Sequence, residues 1–377
     1  MRKAIGILLL VAFIVLSTQI GYAQEDIDYF DFNAKSYILI NQSTKQVLAG
    51  RNYDEELLMA STTKVMTAIV ALELIEDING YFKVTPEASG IIGSSIYLEE
   101  GETIPIKDLL YGLMIRSGND SAVALGIASA GSEEHFVKLM NEKAEEIGAG
   151  NTSFDNPHGL NAENHYTTAK DLAIITAYAM ENPLFREIAS TTFYRSTNLE
   201  GKVRAFHSNN KFLLNYDHAL AAKTGWTTEA GRCLTGAASK DGQDLVGVLL
   251  YAPNWFNDLE EMMEWAYSKY KGVMVIEEDT SMGLIAVENG EEPYVAARVP
   301  KDIVLSIERE TEPVITSEVI LDDIVHAPVY KGDKIGEKQI YKDGEYIYTL
   351  DLVAHKDIAK DSIPWYKRFV TWFGGLF

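Results

Sequence analysis

Ser61-Thr62-Thr63-Lys64, running into the apolar stretch Val65-Met66-Thr67-Ala68-Ile69-Val70-Ala71, decides how this chain is read. On a helix, positions three apart face the same way. The Lys64 amine therefore reaches the Ser61 hydroxyl and takes its proton, which activates a nucleophile without any histidine. The spacing also arises by chance at a helix start with a solvated lysine. Two later tripeptides, Ser117-Gly118-Asn119 and Lys223-Thr224-Gly225, complete an ordered set that turns the balance towards chemistry.

An acyl-transfer site needs a nucleophile, a base, an oxyanion hole and a grip on the substrate. Ser61 is the candidate nucleophile and Lys64 the candidate base, provided its amine is neutral. Burial favours the neutral form, and so does a nearby cation such as Lys223. Ser117 is placed to relay a proton between Lys64 and the leaving amine. Asn119 offers a donor and an acceptor for a peptide amide. Lys223 and Thr224 suit a free carboxylate, and Gly225 lets a substrate backbone lie against its strand. The backbone N–H groups of Ser61 and Trp226 are the candidate oxyanion hole.

The chain has 377 residues, room for two domains, and 47% apolar residues, enough for packed cores. Arg2 and Lys3 precede an apolar run from Ala4 to Leu16, and a polar stretch ends at Gly21-Tyr22-Ala23. This reads as a signal peptide over residues 1–23, because the run falls short of the roughly 18 residues a spanning helix needs. Its loss deepens the net charge from −22 to about −24, which argues against a nucleic-acid partner. The single cysteine, Cys233, has no disulfide partner within the chain and reads as a small buried apolar residue.

Ser36 to Asn41 reads as a strand, turning at Gln42 to Lys45 into a second at Gln46 to Ala49. Helices are expected at Ile106 to Met114, Asp120 to Ala130, Glu133 to Ile147 and Thr168 to Glu181. The strand Ala219 to Thr224 carries Lys-Thr-Gly at its end. Strands follow at Arg232 to Ser239 and Asp244 to Tyr251, then a helix from Leu259 to Tyr270. Strands at both ends with helices between imply one sheet plus a helical cluster, an α/β domain over residues 24–271. Residues 272–358 show short alternating segments, among them Tyr294 to Val299, Ile303 to Ile307 and Glu345 to Leu352, and read as a small all-β sandwich. In residues 359–377, Trp365, Phe369, Trp372, Phe373 and Leu376 recur at helical spacing beside Lys367 and Arg368. That pattern suits an amphipathic helix lying on a membrane surface.

Ala60 to Ala68, Ser117-Gly118-Asn119-Asp120 and Lys223-Thr224-Gly225-Trp226-Thr227 together resemble the low-molecular-mass penicillin-binding proteins that are serine D-alanyl-D-alanine carboxypeptidases. Asn156-Pro157-His158-Gly159-Leu160 resembles a further segment of that family, and His207 to Leu214 lies in a similar context. The resemblance implies a penicillin-recognising serine-hydrolase fold followed by a β domain and an amphipathic tail. It implies removal of the terminal D-alanine from peptidoglycan stem peptides through an acyl-enzyme on Ser61. It further implies acylation by β-lactams, no metal or organic cofactor, and a peripheral place on the outer face of the cytoplasmic membrane. Some members carry an arginine after the last strand of the sheet, where this chain reads Ala252-Pro253-Asn254-Trp255. A β-lactamase is the nearest rival. Its class A members use a glutamate for deacylation, and no Glu-x-x-Leu-Asn motif lies between Asn119 and Lys223. Endopeptidase or transpeptidase action uses the same acyl-enzyme, and a non-catalytic envelope scaffold would need none of the three motifs.

Overall fold

The chain is seen in a computed structural model that describes residues 27–361, so the leader and the aromatic tail beyond Asp361 lie outside the described residues. Strands β1 (Ser36–Asn41) and β2 (Val47–Arg51) form the antiparallel hairpin that the sequence suggests. In β1, Ile38 and Ile40 face one core and Tyr37 and Leu39 the other. A strand buried on both sides reads as continuously apolar for that reason.

Helix α1 (Lys64–Leu74) is buried at every position from Lys64 to Ala71, as befits a helix apolar all round. It is the axis of a cluster reached through the short pair β3 (Tyr81–Lys83) and β4 (Thr103–Pro105). The cluster comprises α2 (Ile106–Ile115), α3 (Asn119–Ala130), α4 (Glu133–Glu146) and α5 (Ala169–Ala179). Among the elements not foreseen in the sequence, two features help shape the site. One is α6 (Pro183–Ser190), capped by the Asn182 side chain on Leu184 and Phe185 N–H. The other is the hairpin β5 (Phe193–Thr197) and β6 (Val203–His207), whose polar and charged alternation hides its strand character.

After the one-turn α7 (Lys211–Asn215), strands β7 (Ala219–Thr227), β8 (Gly231–Lys240) and β9 (Gln243–Leu250) run as a meander. β9 pairs with β1, giving the sheet order β2-β1-β9-β8-β7 with β7 outermost. Helix α8 (Trp255–Lys269) covers one face through Leu259, Met262, Met263 and Ala266, and the helical cluster covers the other. β7 continues three residues past the expected end, so Lys-Thr-Gly lies inside the strand and Trp226 and Thr227 extend it.

The all-β expectation for the C-terminal part holds. β10 (Tyr270–Ile276), β11 (Ser281–Glu288), β12 (Tyr294–Arg298), β13 (Ile303–Glu308), β14 (Ile315–Leu321), β15 (Ile324–His326), β16 (Lys334–Lys342) and β17 (Glu345–Ala354) follow in order. β10 pairs with β13, and the other six form one sheet in the order β14-β16-β17-β12-β11-β15. Both layers contribute to one core, with Ile276, Leu305 and Ile307 from the pair meeting Val295, Ile340 and Leu352 of the sheet. The two domains meet through a buried hydroxyl, Ser306 Oγ, which accepts from Asn41 Nδ2 and Gln243 Nε2, each at 2.8 Å.

Candidate active site

The three motifs arrive from separate elements. Ser61 sits in a 3₁₀ turn, Ala60–Thr63, immediately before α1, rather than in the α-helix itself. Ala60 holds a left-handed φ of 48° there, and Thr62 and Thr63 close the turn by donating from their hydroxyls to Met59 O and Ala60 O. Strain of this kind persists only where surrounding packing enforces it. Two glycines do so. A Cβ on Gly159 would stand 2.0 Å from Ala60 O, and one on Gly225 would stand 2.8 Å from Ser61 N and 2.9 Å from Met59 O. Gly225 is therefore a glycine because the Ser61 turn packs on it. This contact adds a packing reason to the expectation that its bare backbone lets a substrate lie against the strand. No described residue accepts a hydrogen bond from Ser61 N–H, which leaves that group for an oxyanion.

Lys64 is fully buried, and its Nζ lies 3.0 Å from Ser61 Oγ, 2.7 Å from Asn119 Oδ1 and in contact with the carbonyl of His158. Burial first, and the Lys223 charge second, hold its ammonium well below the ordinary 10.5, while Asp120 opposes. Two of the three neighbours, an amide oxygen and a peptide carbonyl, only accept. A neutral amine has two N–H groups for them, and its lone pair is left facing the Ser61 hydroxyl.

Lys223 is also buried, and desolvation lowers it from 10.5 to about 7. Its charge is one of the causes that lower Lys64. Lys223 Nζ donates to Ser117 Oγ at 3.0 Å and to Thr224 O at 2.7 Å. Ser117, with a left-handed φ of 58° between α2 and α3, is thus bonded to Lys223 rather than to Lys64.

Asn119 was expected to hold a substrate amide. Instead, its Oδ1 accepts from Lys64 and its Nδ2 donates to Ile92 O at 2.7 Å. One N–H remains for a substrate, and the amide oxygen holds the lysine amine.

Sequence reasoning gave no role to several residues that build this frame. Asp120 accepts from Ser95 Oγ and from Ile96 and Leu98 N–H, tying the 94–98 segment to α3. Arg204 of β6 donates to Ile96 O and Tyr97 O and pairs with the buried Glu102, so the unforeseen hairpin clamps that segment from outside. His165 accepts from Asp155 N–H at Nδ1, so its proton is assigned to Nε2, which meets Thr63 Oγ1 at 2.8 Å. Burial lowers His165 to about 4 and His158 to about 3, which keeps both neutral. The His158 side chain is structural, as expected, and its carbonyl serves the site.

Two hollows lie at the motifs. One, of about 320 Å³, is lined by Ser117, Lys223, Thr224 and Arg116. The other, an open groove of about 540 Å³, starts at Ser61 and runs past Gly159, Asn161 and the 64%-exposed Trp226 to Glu229. Ser94 walls both. A larger interdomain groove of about 910 Å³ contains none of the three motifs. Among the described residues no group of three His, Cys, Asp or Glu side chains is placed to hold a metal ion.

A serine hydroxyl 3.0 Å from a buried lysine amine, in a turn packed against an edge strand, is an arrangement suited to acyl transfer. Residues 22–254 match the family described as D-alanyl-D-alanine carboxypeptidase, peptidase S11, and residues 270–360 match the penicillin-binding protein 5 C-terminal domain. The chain belongs to the peptidase S11 family of D-alanyl-D-alanine carboxypeptidases. It is 30% identical to the D-alanyl-D-alanine carboxypeptidase DacF of Bacillus subtilis, over 96% of this chain and 95% of the relative. To DacC of Escherichia coli it is 28% identical over 97% and 96%. Penicillin-binding protein 5 of Haemophilus influenzae superposes with a TM-score of 0.68 at 25% identity, covering 88% of this chain and 99% of that one. The D-alanyl-D-alanine carboxypeptidase of Mycobacterium tuberculosis superposes with a TM-score of 0.61 at 28% identity, covering 65% and 94%.

Proposed function

We propose that Ser61 removes the terminal D-alanine of peptidoglycan stem peptides, with Lys64 as its base. The observation that carries this reading is the buried Lys64 amine, held well below its ordinary pKa by burial and by Lys223, 3.0 Å from Ser61 Oγ, with two acceptor-only neighbours to take its N–H groups. Lys64 takes the hydroxyl proton as Oγ bonds to the carbonyl carbon of the penultimate D-alanine. The oxyanion rests on the N–H groups of Ser61 and Trp226. As the C–N bond breaks, the leaving amine takes a proton from the Ser117 hydroxyl, which Lys223 holds at 3.0 Å, and Ser117 is reprotonated by the proton Lys64 took from Ser61, so that Lys64 ends neutral. Water then releases the shortened peptide from Ser61. The terminal carboxylate docks at Lys223 and Thr224. The exposed Arg116 lines the same hollow, has no acidic partner among the described residues, and adds a permanently charged anchor. Gly225 supports the turn, Asn119 aims the base, and Trp226 walls the acyl side.

A β-lactam carboxylate and strained amide fit the same contacts, so β-lactams acylate Ser61. The chain is exported behind residues 1–23, and its catalytic domain spans residues 24–271 and its β domain 272–358. It lies on the outer face of the cytoplasmic membrane through residues 359–377. Among the described residues no helix is long and apolar enough to cross a membrane. Incubation with a stem pentapeptide and, side by side, with a cross-linked dimer tests the activity. One D-alanine per pentapeptide is expected, and cleavage of the dimer alone would overturn the carboxypeptidase reading in favour of an endopeptidase.

A further inference from the structure

The groove on the acyl side of Ser61 ends in a carboxylate that has no cationic partner. Glu229 Oε2 accepts from Asn161 Nδ2 at 2.6 Å. Asn161 Oδ1 in turn accepts from Thr227 Oγ1 at 3.1 Å, and Thr227 Oγ1 accepts from Ala230 N–H at 3.0 Å. The turn after β7 is thereby tied to the loop that carries Gly159, and Glu229 is fixed at the groove wall. It is exposed, and among the described residues no lysine, arginine or histidine lies within ion-pair distance of it. The neighbouring hollow, which shares the wall of Ser94, carries two cations, Lys223 and Arg116. The two hollows are therefore of opposite charge, positive at residues 116 and 223 and negative at 229.

β7 is the outer strand of its sheet, so its far edge is open to an added strand. A peptide whose terminal carboxylate sits at Lys223 and whose reacting carbonyl sits at Ser61 must send its upstream residues past Trp226 towards Glu229. Strand geometry advances about 3.4 Å per residue. With the acyl D-alanine opposite Gly225, the residue just before it therefore lies opposite Trp226, in the groove whose lining includes both Trp226 and Glu229. We infer that Glu229 selects stem peptides whose residue preceding the acyl D-alanine carries a free side-chain ammonium. This inference rests on the reading of Ser61 as the acylated serine.

The test uses the full chain and two peptides, an N-acyl-lysyl-D-alanyl-D-alanine with its side-chain amine free and the same peptide with that amine acetylated. Rates are normalised to the fraction of protein that benzylpenicillin acylates. For a partly exposed ion pair, the free-amine peptide is expected to have about a fivefold higher kcat/KM. The preference should shrink between 50 mM and 500 mM salt, where screening shortens to a few ångströms. Glu229→Gln, which keeps an acceptor for Asn161, should bring the ratio to about one, and Glu229→Lys should favour the acetylated peptide. A purely structural Glu229 would not reverse preference with charge. Equal turnover of both peptides by the wild type, or a ratio unchanged in both variants, overturns the inference and leaves the carboxypeptidase reading intact. Release of D-alanine from neither peptide contradicts that reading and this inference with it.

Discussion

Lys223→Met replaces a buried amine by an apolar chain of similar length, and its effect on stability can be worked out from the site. Desolvation lowers Lys223 from 10.5 to about 7. At about 1.36 kcal/mol per unit, that shift corresponds to about 5 kcal/mol of folding free energy lost at and below pH 7. Between pH 7 and 10.5 the unfolded lysine keeps its proton and the folded one has shed it, so wild-type stability rises with pH in that window. Two pH units recover about 3 kcal/mol. Methionine does not titrate, so the variant lacks this slope. The lost hydrogen bonds to Ser117 and Thr224 and the changed packing do not depend on pH, and they cancel when the variant's stability relative to wild type is compared at pH 7 and pH 9. The variant should lose about 3 kcal/mol of relative stability over that span. Urea unfolding followed by tryptophan fluorescence measures it, since Trp226, Trp255 and Trp265 lie in the catalytic domain. A stability difference that stays constant within about 0.5 kcal/mol would show that Lys223 titrates normally in the folded protein, and the electrostatic account of Lys64 would fail with it. Acylation should fall in the same variant because the carboxylate loses a cation.

Lys64→Ala removes the base, and benzylpenicillin acylation at saturation should drop about 10²- to 10⁴-fold; a wild-type rate would exclude Lys64 from the chemistry. Acylation by the free enzyme should decline as pH rises through about 7, because Lys223 then loses the proton that attracts the carboxylate. A rate per unit concentration that keeps climbing from pH 7 to 9 would contradict that. Gly159→Ala forces a Cβ into the Ala60 carbonyl and alters a left-handed φ of 90°. It should cost about 1–3 kcal/mol and reduce acylation together, readable by thermal melts and a rate assay. The tail should bind without spanning, since a helix over residues 365–376 is only about 18 Å long against a core of roughly 30 Å. Liposome co-sedimentation should survive moderate salt and vanish on truncation after Lys360, whereas a truncated chain that still pellets would place the anchor elsewhere.

The proximity of Ser61 and Lys64 and the strand that meets them were legible because each is a local pattern. Ser61 and Lys64 share one turn, and β7, β8 and β9 are apolar runs separated by turn signals. What was not legible depends on long-range closure. Asn119 looked free for a substrate, yet its amide oxygen holds Lys64, 55 residues away, and one of its N–H groups is bound to Ile92 O. Gly225 looked like a substrate-facing glycine, and the Ser61 turn packed on it adds a reason that the local sequence does not show. The hairpin Phe193–His207 hid behind polar residues whose purpose, in Arg204, is to bind the carbonyls of Ile96 and Tyr97 across the molecule. β14 was passed over for a similar reason: five of its seven residues are exposed, so it lacks the alternation of a half-buried strand. Signals did exist for two of the misses. Asn182-Pro183 is a helix start, and Arg116 is a cation beside a motif serine.

The central claim is that Ser61 forms the acyl bond, and intact-mass spectrometry after exposure to benzylpenicillin tests it most directly. The account predicts one adduct per chain, carried on the peptide that contains Ser61 and absent from Ser61→Ala. An adduct on any other residue, or one that persists in Ser61→Ala, would contradict it.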